Sequence, residues 1–197
     1  MKPSHRLNRN IKMILVSIGF TTLVTSGSLH AAVIGDVQLA GQGCASTASN
    51  KLRLIVPSQS LYSVPLNLNL VKSEDKIIER HACTAAIPVH LEAGEKLVVE
   101  DATQKINVRL DARTSAKAQL EIFLAGQKGD VVVGEAEAEE TTVKAKVKLS
   151  KAGHILQSGC GEDVILRANE SIAVIGSGRA SAISDNLRVK IKIVQCE

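Results

Sequence analysis

Beyond its N-terminal stretch, this sequence alternates apolar and polar residues with a period of two, and no other feature limits its folding so tightly. Val143, Ala145, Val147 and Leu149 interleave with Lys144, Lys146 and Lys148, while Leu187, Val189, Ile191 and Ile193 interleave with Arg188, Lys190 and Lys192. A helix would scatter those cations around its circumference. In a strand, successive side chains point to opposite faces, so the cations share one wet face and the other is wholly apolar. Leu52, Leu54 and Val56 alternate with Lys51, Arg53 and Ile55 in the same way, Leu66, Leu68 and Leu70 with Asn67 and Asn69, and Ile106, Val108 and Leu110 with Asn107 and Arg109. Turn-forming residues punctuate these runs at Gly41 to Gly43, Pro57 and Ser58, Ala93 and Gly94, Gly126 to Gly129, Gly153, Gly159 to Gly161 and Gly176 to Gly178. The pattern predicts an all-β fold, an antiparallel β-sandwich of about ten strands, built as a single domain over residues 32–197. One segment is ambiguous. Ser115 to Ala125 favours helix on propensity through Ala116, Lys117, Ala118, Gln119 and Glu121, yet the spacing of Leu120, Ile122 and Leu124 reads as strand, so one short helix stays open.

The N-terminal stretch has a different construction. Lys2, Arg6, Arg9 and Lys12 precede an apolar core over Met13 to Leu23, and Ala31 and Ala32 follow. The core is too short for a permanent membrane span, so residues 1–31 read as a secretory signal peptide cut after Ala31 or Ala32, without a transmembrane anchor. Cys44 lies too far beyond the apolar core to be a lipidation site. The whole chain has a formal charge of +4, but the leader holds four basic residues and no acidic ones, so the exported part has a formal charge of 0. That balance removes the main support for nucleic acid as a partner. The expected location is secreted or periplasmic.

All four cysteines, Cys44, Cys83, Cys160 and Cys196, follow the leader. An even count in an oxidising compartment implies two bridges. Three pairings are possible. Joining sequence neighbours, Cys44 with Cys83 and Cys160 with Cys196, closes one loop near each end, and each bridge could stabilise by up to about 4 kcal/mol. No C-x-x-C or paired-histidine spacing is present, so no metal site is expected.

Reactive constellations are equally sparse. His81, His90 and His154 are the histidines beyond the leader; His81 lies two residues before Cys83, and His90 sits in an alternating run with Ile87, Val89 and Leu91. The G-x-S-x-G elbow of serine hydrolases is missing, and Gly176, Ser177, Gly178 and Arg179 lack the remaining glycine and following helix of a dinucleotide fingerprint. Beyond the leader the aromatics are Tyr62 and Phe123, which disfavours a stacking lectin or a nucleic-acid binder, since sugars and single-stranded bases are both held on stacked aromatic platforms. Asn169, Glu170 and Ser171 form a glycosylation sequon. Glu135, Glu137, Glu139 and Glu140 precede Lys144, Lys146 and Lys148. A reversal near Glu140 to Thr142 would set the glutamates opposite the lysines on paired strands, which is favoured over a calcium site because residues along one strand point in parallel.

Short landmarks run through almost the whole exported part: Gly41, Gln42, Gly43 and Cys44; then Arg80, His81, Ala82 and Cys83; then Ser184 and Asp185 opening a strand from Leu187 to Cys196. With these the chain resembles a family of small secreted β-rich proteins of unknown function found in bacteria and fungi. That family opens with Gly-x-Gly-Cys, continues with Arg-x-x-Cys and closes on a Cys-terminated strand. Ala93 stands where the family usually has Pro, and Val194 where it usually has an aromatic residue. The resemblance implies export, β structure and cysteine pairing, and it implies no active site.

The resulting expectation is an exported non-enzymatic module that binds another protein or an envelope component, with no catalytic residues and no cofactor. The alternatives are an exported hydrolase whose site is assembled from loops, with His90 or His154 beside a Ser and an Asp, and a fimbrial-type surface subunit exchanging strands between copies.

Overall fold

The computed structural model describes residues 32–44, 51–56 and 59–197. The expected signal peptide over residues 1–31 lies outside the described residues. The described chain forms fourteen strands and no α-helix. In chain order they are β1 (Val33–Ile34), β2 (Gln38–Ala40), β3 (Arg53–Val56), β4 (Leu61–Val64), β5 (Asn69–Lys72), β6 (Ile78–His90) and β7 (Glu95–Leu110). These are followed by β8 (Thr114–Leu124), β9 (Val131–Ala138), β10 (Val143–Lys151), β11 (Leu156–Gln157), β12 (Val164–Gly176), β13 (Ala180–Ser184) and β14 (Leu187–Gln195). The surplus over the expected number comes from short strands such as β1, β2 and β11.

All strand pairs are antiparallel and fall into two sheets. The first runs β1-β6-β12-β8-β9, with β2 also on β6. The second runs β3-β4-β14-β7-β13-β5. In it β14 and then β13 pair along one edge of the long strand β7, and β11 and then β10 along its other edge. Packed face to face, the sheets form the expected β-sandwich. The core is made by every second residue: Cys83, Ala85, Ile87 and Val89 of β6 and Leu166, Ala168, Ile172 and Val174 of β12 face Ile106, Val108 and Leu110 of β7 and Leu187, Val189 and Ile191 of β14.

The segment whose propensity left a helix open is β8, paired on both sides with β12 and β9. Its buried positions, from Ala116 through Ala118, Leu120 and Ile122 to Leu124, follow the two-residue period, and packing them against the facing sheet outweighs a helix preference of a few tenths of a kcal/mol per residue.

The expected glutamate–lysine hairpin does not form. The chain does reverse between β9 and β10, but β9 pairs with β8 in the first sheet and β10 with β7 in the second, so the reversal turns a corner of the sandwich. The two strands still approach closely there, and a methyl group at Gly134 would run into Val147 and Leu149 of β10. Glu135 instead pairs with Lys117 of β8 at 3.0 Å. The lysines of β10 are thereby left on the other side of the molecule from the glutamates of β9.

Candidate functional site

Disulfides brace the scaffold at two places. Cys44 bridges to Cys83 of β6 and also forms an isolated β-bridge with Leu68, so this link ties the first sheet to the chain entering β5 of the second. Cys160 bridges to Cys196 just beyond β14, where the Cys196 amide donates to the Gly94 carbonyl at 2.7 Å. Neither sulfur pair is a free thiol available to chemistry.

The histidines are separated. His81 meets the Asn69 carbonyl through Nδ1 at 2.7 Å and Glu79 through Nε2 at 3.3 Å. His90 meets Asp163 at 2.5 Å, in a depression lined by Val33, Pro88, Val164 and Ile165 that holds no hydroxyl or thiol. His154 is exposed between β10 and β11. Among the described residues no group of three or more His, Cys, Asp or Glu side chains converges as a metal site would. Gly176 to Gly178 form the turn from β12 to β13, and the Gly178 carbonyl accepts from Lys72 Nζ at 2.7 Å.

Several polar side chains face the core. Glu170 of β12 and Gln104 of β7 are each only 1% exposed, with Ser184 of β13 beside them. Gln104 Nε2 donates to Glu170 Oε2 at 3.0 Å, to the Leu66 carbonyl at 2.8 Å and to the Asp185 carbonyl at 3.2 Å, while Ser184 Oγ donates to Glu170 Oε2 at 3.0 Å. This cluster joins the two sheets. Glu170 Oε1 and Gln104 Oε1 have no donor within reach. Burial pushes the Glu170 carboxyl up to about 7, against the opposing pull of its bonds from Ser184 and Gln104. A proton on Glu170 would supply a donor where two acceptors lack one. Lys72 is likewise 1% exposed, with its ammonium capped by the Ser73 and Gly178 carbonyls. These groups are closed to solvent-borne ligands and belong to the scaffold.

Accessible chemistry lies on the outer faces of the sheets. On the first sheet, register places Thr84, Asn169 and Glu121 in one row and Ser171 and Gln119 in the next. Asn169 Nδ2 donates to Glu121 Oε2 and Ser171 Oγ to Gln119 Oε1, both at 3.4 Å, and the Gly129 amide donates to Glu121 Oε1 at 3.2 Å. Cations and carboxylates are mixed here, as in the Lys117–Glu135 pair.

The outer face of the second sheet is different. Across β10, β7, β13 and β5 the outward positions are Lys144, Lys146, Lys148 and Ser150; Thr103, Lys105, Asn107 and Arg109; Ser181 and Ile183; and Asn69 and Val71. Lys105, Arg109, Lys144, Lys146 and Lys148 are exposed, and no carboxylate shares these rows; Asp111 and Asp185 sit at the rim. Among the described residues none of those cations forms an ion pair. Register even sets Lys144 directly opposite Arg109 and Lys148 directly opposite Lys105. Like charges opposed on adjacent strands are destabilising, so this arrangement works against the sheet that holds it. Farther along the same sheet the charges are balanced: Lys190 and Lys192 bond Glu100 at 2.7 and 2.5 Å and hold its carboxyl below the usual range. The lysine stripe of β10 was visible in the sequence. Arg109 and Lys105 became part of it only through the β10–β7 register.

The model of a family described as a domain of unknown function, DUF4360, matches residues 30–195. The chain belongs to the DUF4360 family. Comparison with curated proteins finds no match for this DUF4360 domain. Among solved structures, TmCBM61 in complex with β-1,4-galactotriose is similar over 81% of this chain and 88% of that chain, at 15% identity and a TM-score of 0.26, a correspondence too loose to carry an argument about ligand.

Proposed function

We propose that this DUF4360 chain is an exported, non-enzymatic binding module that engages an anionic partner through the outer face of its second sheet. The observation that carries this reading is the array of Lys105, Arg109, Lys144, Lys146 and Lys148, which lacks counter-charges and opposes like charges across strands. A surface that breaks a local stability rule without an internal gain is where function is expected. Export supports the setting, through the leader over residues 1–31 and the two disulfides, which persist in oxidising compartments. The strand-exchanging alternative is less well supported, because β14 is used inside its own sheet between β4 and β7.

The exported chain has a formal charge of 0, so retention on a cation-exchange resin near pH 7 and low salt can come only from a localised patch. Retention of the wild type, and its loss in a K146E/K148E double variant that still folds, is the expected result. Wild-type protein emerging in the void volume would reject the reading. N-terminal sequencing of exported material should begin at Ala32 or Val33, and an intact N-terminus would reject the leader.

A further inference from the structure

The cationic face is not flat. A trough of about 360 Å³ lies across β10, β7 and β13, lined by Asn107 and Arg109 of β7, by Lys144 and Lys146 on the β10 side, and by Ser181 and Ile183 on the β13 side. At one end it meets a second depression, of about 660 Å³, with which it shares Arg109 and Ser181; there Arg179 is paired with Glu74 at 3.0 Å and Asp75 and Asp111 also line the wall, so carboxylates bound the cationic surface at that end. Within a strand the cations recur every ~6.8 Å, and adjacent strands lie ~4.8 Å apart, so charge is presented as a short lattice. We infer that this trough binds a linear acidic polysaccharide, with its carboxylates against Arg109, Lys144 and Lys146, its hydroxyls against Asn107 and Ser181, and an apolar sugar face on Ile183. This deepens the proposed function and rests on it.

Two observations select this occupant among anionic partners, and a third says how it is held. A trough admits a single chain, whereas a lipid surface is a plane that meets only the rims. Neutral hydrogen-bonding groups, Asn107 and Ser181, lie between the cations, which suits a polymer carrying hydroxyls between its charges and adds nothing for a ligand that is charge alone. The face has no aromatic side chain, since Tyr62 packs against the core and Phe123 is on the other sheet, so neither bases nor sugar rings can stack there and the occupant is held by its charges and hydroxyls. Carboxylate or phosphate groups on such a chain would also relieve the opposed Lys144–Arg109 and Lys148–Lys105 pairs.

The test is calorimetric titration of the whole exported chain with polygalacturonate, with its fully methyl-esterified form, with vesicles of phosphatidylglycerol and phosphatidylcholine, and with duplex DNA. Polygalacturonate should bind, and the esterified form, which keeps the hydroxyls and loses the charge, should bind at least about tenfold more weakly, as should the acid polymer when salt is raised from 50 to 200 mM. K144E/K146E should weaken binding about tenfold or more. N107A and S181A, which leave the charge unchanged, should each weaken it about threefold to tenfold. Lys117→Glu on the opposite face should leave it unaltered, and circular dichroism of each variant keeps loss of fold from passing as loss of binding. Vesicles or DNA binding with dependence on Lys146, without binding of polygalacturonate, would overturn this inference while leaving the anionic-partner reading intact. Binding of none of the anionic probes would overturn both. Unaltered affinity in N107A and S181A would also overturn the inference, since charge alone would then account for attachment.

Discussion

The two outer faces of the sandwich are built from the same kind of strand on the same core, yet they treat charge oppositely. On the first sheet Lys117 meets Glu135, and Glu121 accepts from Asn169 and from the Gly129 amide, so carboxylates are set among cations and amides. On the second, Lys144 faces Arg109 and Lys148 faces Lys105 with nothing between them. Net charge, being a sum, hides this difference. Glu135 and Glu137 of β9 follow the first sheet while the lysines of β10 follow the second, because the corner between the two strands separates them. Binding chemistry can therefore be confined to one face while the protein as a whole has little electrostatic bias.

The largest expected effect concerns what both faces share. The Cys44–Cys83 bridge links the sheets, and by loop entropy its removal in a C44S/C83S variant should cost about 4 kcal/mol in urea unfolding. If the two faces ride on one body, tryptic sites on both should become accessible together, and exposure of one alone would break the comparison into two independent halves. Next in size is the seam between the sheets. Glu170 has its folded pKa raised from 4.5 to about 7, so its favourable contribution is fully present below pH 4.5 and is lost as pH rises through 7. The folded protein should lose about 3 kcal/mol across that window, and Glu170→Gln, neutral at every pH, should flatten the slope. A stability profile for Glu170→Gln as steep as that of the wild type would assign the slope to other groups. The smallest effect sharpens the contrast directly. Lys148→Glu, which places a carboxylate opposite Lys105, should raise the Tm by about 1 °C at low salt, whereas Lys117→Glu, which breaks the pair with Glu135, should lower it by a similar amount. Both shifts should shrink in 0.5 M NaCl, and equal signs for the two variants would show that the faces are not electrostatically distinct.

Much of the fold was legible in the alternation. The runs Val143 to Leu149 and Leu187 to Ile193 lie in β10 and β14 with their apolar residues inward, as their phase dictates. The partners of β9 and β10 were not legible, because a reversal between two alternating strands looks the same whether it closes a hairpin or turns a corner. Only packing at Gly134, where the two strands approach without pairing, distinguishes them. The buried polar groups were missed although a signal existed. Leu166, Ala168, Glu170, Ile172 and Val174 share one phase, as do Leu66, Leu68, Leu70 and Lys72, and Ala102, Gln104 and Ile106. Continuing each apolar phase through its polar member places Glu170, Lys72 and Gln104 inside. The sequon around Asn169 drew notice to the surface instead, and Asn169 is indeed outward, half-buried against Glu121. The cationic site was half visible, since the β10 lysines can be read along the chain while the residues opposite them are known only once register is known.

The placement of β14 has a consequence for timing. β3 and β4 are synthesised before β7, but they reach it only through β14, which is made much later. Until then the second sheet stays split, and its halves expose unpaired edges and apolar surface. A chain wired this way cannot lock its early segments into the finished shape while the rest is still being delivered.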